Sequence, residues 1–168
     1  MICKYKGTRY KATIRDEEVL IISKEEREGF VNYINVVGRK SKTSFMKVLD
    51  KSEIESLYHE RIYFQYKGMV LTAGGINKRG IDENSFLVFG ATEKQAREYG
   101  FKGNFRDGYE RFIKLEEIER IIVKKTPVKG FEEFFNVEET EVVEKENVKE
   151  WIKLAASLQK DPRDREWP

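Results

Sequence analysis

Short alternating segments at 2–6 and 8–14 meet at Gly7. Glycine takes positive φ at little cost, so this pattern predicts a β-hairpin. Residues 63–67 and 69–73 repeat the pattern around Gly68, and Gly74-Gly75 breaks the second strand. The aliphatic runs Val19-Leu20-Ile21-Ile22 and Phe86-Leu87-Val88-Phe89 predict short buried strands. Each run is followed by a helix-start pattern. Ser23-Lys24-Glu25-Glu26 and Thr92-Glu93-Lys94-Gln95 both read as capping boxes, in which a hydroxyl accepts the N3 amide and the N3 side chain reaches back. Gly29 and Gly100 offer left-handed helix ends, and a phenylalanine follows each. Strands are then expected at 44–49 and 109–115, with helical turns at 52–58 and 116–121.

The order of these elements is the same in both halves. Tyr5-Lys6-Gly7 recurs as Tyr66-Lys67-Gly68, Arg27-Glu28 as Arg97-Glu98, and Gly29-Phe30 as Gly100-Phe101. Phe45 pairs with Phe112 by identity, and Glu53-Ile54-Glu55 with Glu117-Ile118-Glu119. A shared order with drifting spacing predicts an internal duplication with loops of unequal length. The expected fold class is therefore α+β and β-dominated. Two tandem units, 1–60 and 61–130, each run hairpin, strand, short helix, strand and helical turn, and pack together because about sixty residues make a small core. Residues 131–168 form a third region: an acidic segment, a C-terminal helix and a mobile tail. Asn147 reads as the cap of that helix, whose apolar face is Val148, Trp151, Ile152, Ala155 and Leu158.

Composition narrows the function. Of 168 residues 37% are charged, yet 11 Phe, 8 Tyr and 2 Trp exclude a disordered chain. No aliphatic run is long enough to span a bilayer, and the first residues lack an apolar signal core, so the chain is expected in the cytoplasm. A single cysteine fits a reducing compartment. One histidine and one cysteine leave no set for most zinc sites. Walker A, dinucleotide-glycine, HExxH and GxSxG patterns are absent. Gly100, Gly103 and Gly108 near Lys102, Arg106 and Arg111 match no phosphate cradle and read as a connection. Cys3 reads as a buried apolar residue and His59 as a solvent-facing one. The duplicated Glu-Ile-Glu reads as a solvated turn with a buried isoleucine, because i, i+2 carboxylates diverge on a helix. Neither an enzymatic activity nor a cofactor is expected.

Charge and aromatics suggest binding. Residues 1–130 carry 26 basic and 19 acidic side chains, a net of +7; residues 131–168 carry 6 and 11, a net of −5. Lys4, Lys6, Arg9 and Lys11 with Tyr5, Tyr10 and Tyr33 outline a nucleic-acid face, against which stands an ordinary solvated edge. The acidic stretch offers Glu132, Glu133, Glu138, Glu139, Glu141 and Glu144 beside Phe134 and Phe135. Charge would steer a basic protein partner there, and the aromatics would hold it.

Tyr5-Lys6-Gly7, Gly29-Phe30 and Phe45-Met46-Lys47 leading into 52–58 form one set of recurrent positions. Tyr66-Lys67-Gly68, Gly100-Phe101 and Phe112-Ile113-Lys114 leading into Glu117-Ile118-Glu119 form the second. In this arrangement residues 1–125 resemble small cytoplasmic immunity proteins of bacterial polymorphic-toxin systems. The resemblance implies a non-enzymatic protein that neutralises a cognate protein toxin, a nuclease for example, by stoichiometric occlusion. It carries over no site residues. The competing expectation is a nucleic-acid-binding module; a membrane partner is not expected.

Overall fold

The computed structural model describes residues 1–35 and 37–158. The molecule is β-dominated and closes with a C-terminal helix. Its contacts divide it into two compact units. Among the described residues, the first comprises 1–60 and 125–138, and the second 61–124 and 139–158. The acidic segment is thus shared between the units, its first half belonging to one and its second half to the other.

In the first unit, β1 (Ile2–Tyr5) and β2 (Thr8–Arg15) form the expected hairpin. Lys6 (φ 47°) and Gly7 (φ 72°) both take positive φ, the geometry of a two-residue type I′ turn. β3 (Glu18–Ser23), β4 (Val31–Ile34), β5 (Lys40–Leu49) and the start of β6 (Ser56–Tyr66) complete the antiparallel order β4-β5-β3-β2-β1-β6. One face carries the core of Cys3, Tyr5, Tyr10, Val19, Ile21, Leu49, Ile54 and Leu57, closed by Val128 and Phe131.

In the second unit, the rest of β6 and β7 (Met69–Ala73) form the second hairpin, with Lys67 at φ 49° and Gly68 at φ 73°. β8 (Phe86–Phe89), β9 (Lys102–Asn104), β10 (Gly108–Ile113) and β11 (Arg120–Pro127) give the order β9-β10-β8-β7-β6-β11, with β12 (Glu139–Val143) beside β11. Strand for strand this is the order of the first unit. The core holds Phe64, Tyr66, Leu71, Phe86, Val88, Ile113, Ile118, Ile121 and Val123. Helices α1 (Lys78–Asp82) and α3 (Val148–Ser157) pack together, and Val148, Ile152 and Ala156 join that core.

Three expectations need correction. Residues 92–100 do form a helix, α2 (Glu93–Tyr99), with Thr92 accepting from the Gln95 amide and Gly100 at φ 70°. Residues 23–29 do not. The Ser23 hydroxyl instead accepts from the Glu25 amide at 3.1 Å and donates to the Glu25 carbonyl at 2.8 Å, a local turn that competes with helix. The expected turns at 52–58 and 116–121 shrink to 3-10 turns at Lys51–Glu53 and Leu115–Glu117, after which strands resume. Asn147 does not cap α3 with its side chain, because the 3-10 turn Lys145–Asn147 leads directly into the helix. The described part of the chain ends before the expected mobile tail. Among the described residues no helix is long and apolar enough to cross a membrane.

Candidate functional site

The two Glu-Ile-Glu segments are built alike, and their carboxylates close the hairpins. In the first unit, Glu53 Oε2 accepts from the Asp50 amide at 3.0 Å, and its Oε1 from Lys47 Nζ at 2.7 Å. Ile54 turns into the core, and Glu55 Oε1 accepts from the Gly7 amide at 2.7 Å. In the second, Glu117 Oε2 accepts from the Lys114 amide at 2.8 Å, Ile118 is buried, and Glu119 accepts from the Gly68 amide at 3.2 Å. These carboxylates therefore serve backbone donors, and each pair does structural work at opposite sides of its isoleucine.

Beside the first hairpin lies an open cleft of about 520 Å³ lined by Tyr5, Lys6, Tyr10, Arg27, Gly29, Phe30 and Lys47 among others. Alternation along β1 and β2 turns Tyr5 and Tyr10 to the core face, where their rings stand 6.3 Å apart, and Phe30 packs 5.8 Å from Tyr10. Lys47 Nζ donates to the Tyr5 hydroxyl at 2.8 Å and sits 4.6 Å from its ring. Its hydrogen bonds to Glu53 and then Tyr5 hold this ammonium above the usual lysine range, and the same contact holds Glu53 below the usual carboxylate range. Arg27 donates to the Tyr10 hydroxyl at 2.9 Å and pairs with Glu25. This cleft escaped the sequence reading. Its signal was the register of β5: Lys47 opposes Ile21 as Arg111 opposes Val88, so Lys47 and Arg111 correspond, not Phe45 and Phe112.

Most residues expected on a nucleic-acid face are paired or buried, whereas Lys6 is exposed. Lys4 pairs with Glu55 at 3.5 Å, Arg9 with Glu60 at 2.5 Å, and Tyr5 and Tyr10 are each 6% exposed. Burial lowers the Lys11 ammonium below the usual lysine range. Tyr33 is half-buried on the edge strand β4.

The acidic segment is divided. In the first unit Glu132, Glu133 and Glu138 are exposed. Phe134 and Phe135 are half-buried. Phe134 packs on the core and lies 6.4 Å from Phe131, while Phe135 stacks 5.2 Å from the buried Tyr58. The Glu132 carboxylate accepts from the Gly130 amide at 2.9 Å, and backbone donors, its own amide first, hold it below the usual carboxylate range. Glu133 pairs with Lys51 at 3.5 Å. In the second unit Glu139 and Glu141 are exposed on β12, and Glu144 pairs with Arg120 at 3.6 Å.

The remaining candidates are placed plainly. His59 is exposed within β6, and Cys3 is fully buried in β1. The glycines at 103 and 108 belong to the β9–β10 hairpin, whose loop amides of Arg106 and Asp107 are taken by Asn104 Oδ1 at 2.8 and 2.9 Å. Arg111 donates to the Tyr99 carbonyl.

A family model matches residues 1–130, which hold both hairpins and most of each unit's core. The chain belongs to the family described as uncharacterised conserved protein UCP033725. No curated protein and no solved structure matches it. The family's matched region contains the aromatic cleft and both Glu-Ile-Glu closures, and it stops just before Glu132.

Proposed function

We propose that this protein is a non-enzymatic binding protein whose partner is a basic polypeptide, and that it acts by stoichiometric occlusion, as an immunity protein acts on a cytoplasmic toxin. One observation supports the reading. Phe134 and Phe135 fasten the start of the acidic segment to the first unit, so Glu132, Glu133 and Glu138 leave an anchored backbone with their carboxylates outward. A preorganised acidic face loses little freedom on binding, and its charge raises the encounter rate with a cationic groove such as a nuclease uses for phosphates. The aromatics on this reading support the face from behind instead of contacting the partner. The tandem arrangement belongs to the same proposal: matched strand order and matched carboxylate closures support reading the units as copies of one ancestral unit.

The test is protection of cells that express a candidate toxin nuclease domain encoded beside this chain, together with the association rate. Reversal of Glu132, Glu133 and Glu138 to lysine should slow association by about tenfold or more at low salt and remove protection. The same reversal at the exposed Asp16, Glu17 and Glu18 is the control. Full protection by the first variant removes the acidic face from the reading.

A further inference from the structure

The second unit repeats several features that line the first unit's cleft. Lys6 and Lys67 hold the same turn position, and each Nζ stands 5.4 Å from the ring of the preceding tyrosine, Tyr5 or Tyr66. Gly29 (φ 79°) and Gly100 (φ 70°) both turn left-handed before a phenylalanine that packs on a hairpin aromatic. The segments leading to those glycines differ by one residue. Arg27-Glu28-Gly29 is continuous, whereas Arg97-Glu98-Tyr99-Gly100 carries an extra tyrosine.

That extra ring has a defined seat. Tyr99 is half-buried against the second core, and Lys67 Nζ lies 5.0 Å from its centroid, so this ammonium sits between two rings. The neighbouring Glu98 carboxylate raises the Tyr99 phenol above its usual range. In the first unit Lys6 lies over Tyr5, and both line the open cleft of about 520 Å³, with Glu28 on its wall.

We propose that the first unit's cleft is a binding site for a tyrosine side chain presented by a partner polypeptide. The ring would lie under Lys6, as Tyr99 lies under Lys67, and Glu28 would accept its hydroxyl. The hydroxyl contact selects tyrosine over phenylalanine, because a carboxylate left facing a ring edge loses its hydrogen bond. The cation over the ring contributes electrostatic attraction to the quadrupole. This site lies apart from the acidic segment, and the inference stands or falls independently of it.

The full chain, labelled with ¹⁵N, is titrated with the blocked pentapeptide Arg-Glu-Tyr-Gly-Phe, which copies 97–101. The amides of Lys6, Gly7 and Gly29 are expected to shift with an affinity near the millimolar range, and the pentapeptide with phenylalanine replacing tyrosine should bind more weakly. Lys6→Ala should weaken binding roughly 2- to 5-fold, the contribution of one exposed cation–π contact. Tyr99→Ala should open the second seat and bring shifts at Lys67 and Gly100, doubling the stoichiometry. Insertion of a tyrosine between Glu28 and Gly29 should abolish binding at the first cleft. The inference is overturned if the pentapeptide leaves Lys6 and Gly29 unmoved. It is equally overturned if free p-cresol moves them and the peptide does not, since the cleft would then serve a small phenol.

Discussion

Replacing Phe135 by alanine tests whether the acidic segment is held in place or merely passes by. The Phe135 ring stands 5.2 Å from Tyr58 at 43°, and Tyr58 is 7% exposed, so the contact is made against a fixed wall. Full burial of a phenylalanine is worth about 1.5–3 kcal/mol, and a half-buried one roughly half of that. An aromatic pair adds about 0.5–1.5 kcal/mol beyond area. Loss of the ring should therefore cost the local fold about 1.5–3 kcal/mol. Two amides report on it directly. Phe131 N–H donates to the Val128 carbonyl at 2.9 Å, and Phe134 N–H to the Phe131 carbonyl at 3.1 Å. At about 1.4 kcal/mol per tenfold, their hydrogen exchange should accelerate roughly 10- to 100-fold in Phe135→Ala. Amides of β2 and β3 should keep their wild-type rates. The three carboxylates remain, so slower association with a basic partner in this variant would be due to lost order alone. Unchanged exchange at Phe131 and Phe134 would refute the reasoning, and with it the claim that the ring orders the acidic face.

Three further outcomes follow from single sites. Gly103→Ala should disrupt the β9–β10 hairpin, because a Cβ there meets the Gly108 carbonyl and φ is +125°, whereas Gly108→Ala meets nothing and costs only left-handed strain of about 1–2 kcal/mol; amide shifts of Lys102 and Glu110 separate the two. Ile118→Ala should lower stability by about 3–5 kcal/mol in chemical denaturation, since the side chain is fully buried, while Ile54→Ala, at 8% exposure and nearer solvent, should cost less. Burial raises the Cys3 thiol to about 11 from an ordinary 9.0. The folded state then keeps its proton where the unfolded state has lost it. The contribution is fully present below pH 9.0 and falls between pH 9.0 and 11, by about 1.4 kcal/mol per pH unit. Subtracting the stability profile of Cys3→Ala from that of the wild type isolates it, and a flat difference would show that the thiol ionises equally in both states.

The hairpins were legible because Tyr-Lys-Gly leaves one economical geometry for a two-residue turn, and both instances adopt it. The Thr92 box was legible because seven residues separate its cap from Gly100. The similar pattern around Ser23 misled, because its hydroxyl is taken up in a local turn with Glu25. Several elements escaped for want of a pattern, β4 and β11 among them. β9 is Lys-Gly-Asn, exposed throughout; β12 hides inside an acidic run; and α1 begins at Asn77, whose side chain accepts from Gly80 in a stretch that reads as loop. Matching Phe45 to Phe112 by identity concealed the correspondence of Lys47 with Arg111, which only strand register reveals. The cleft was invisible for that reason, and because its defining feature is a residue the first unit lacks. The acidic carboxylates were legible as composition. That their neighbouring phenylalanines are half-buried was not, because the wall Phe135 packs on, Tyr58, arrives from elsewhere in the chain.

The glutamate that closes each hairpin comes from far along the chain. Glu55 meets Gly7 across 48 residues, and Glu119 meets Gly68 across 51. A hairpin can zip within microseconds, but this closure must wait until the intervening strands have returned. The loop-closure entropy is thus met before the carboxylate contributes anything. Each unit should therefore fold slowly for its size, on a millisecond-to-second scale, with its turn exposed until the last step. A nascent chain emerging from the ribosome would hold an unlatched first hairpin until residue 55 had cleared the exit tunnel, and substitutions at Glu55 would speed unfolding while leaving the folding rate nearly unchanged.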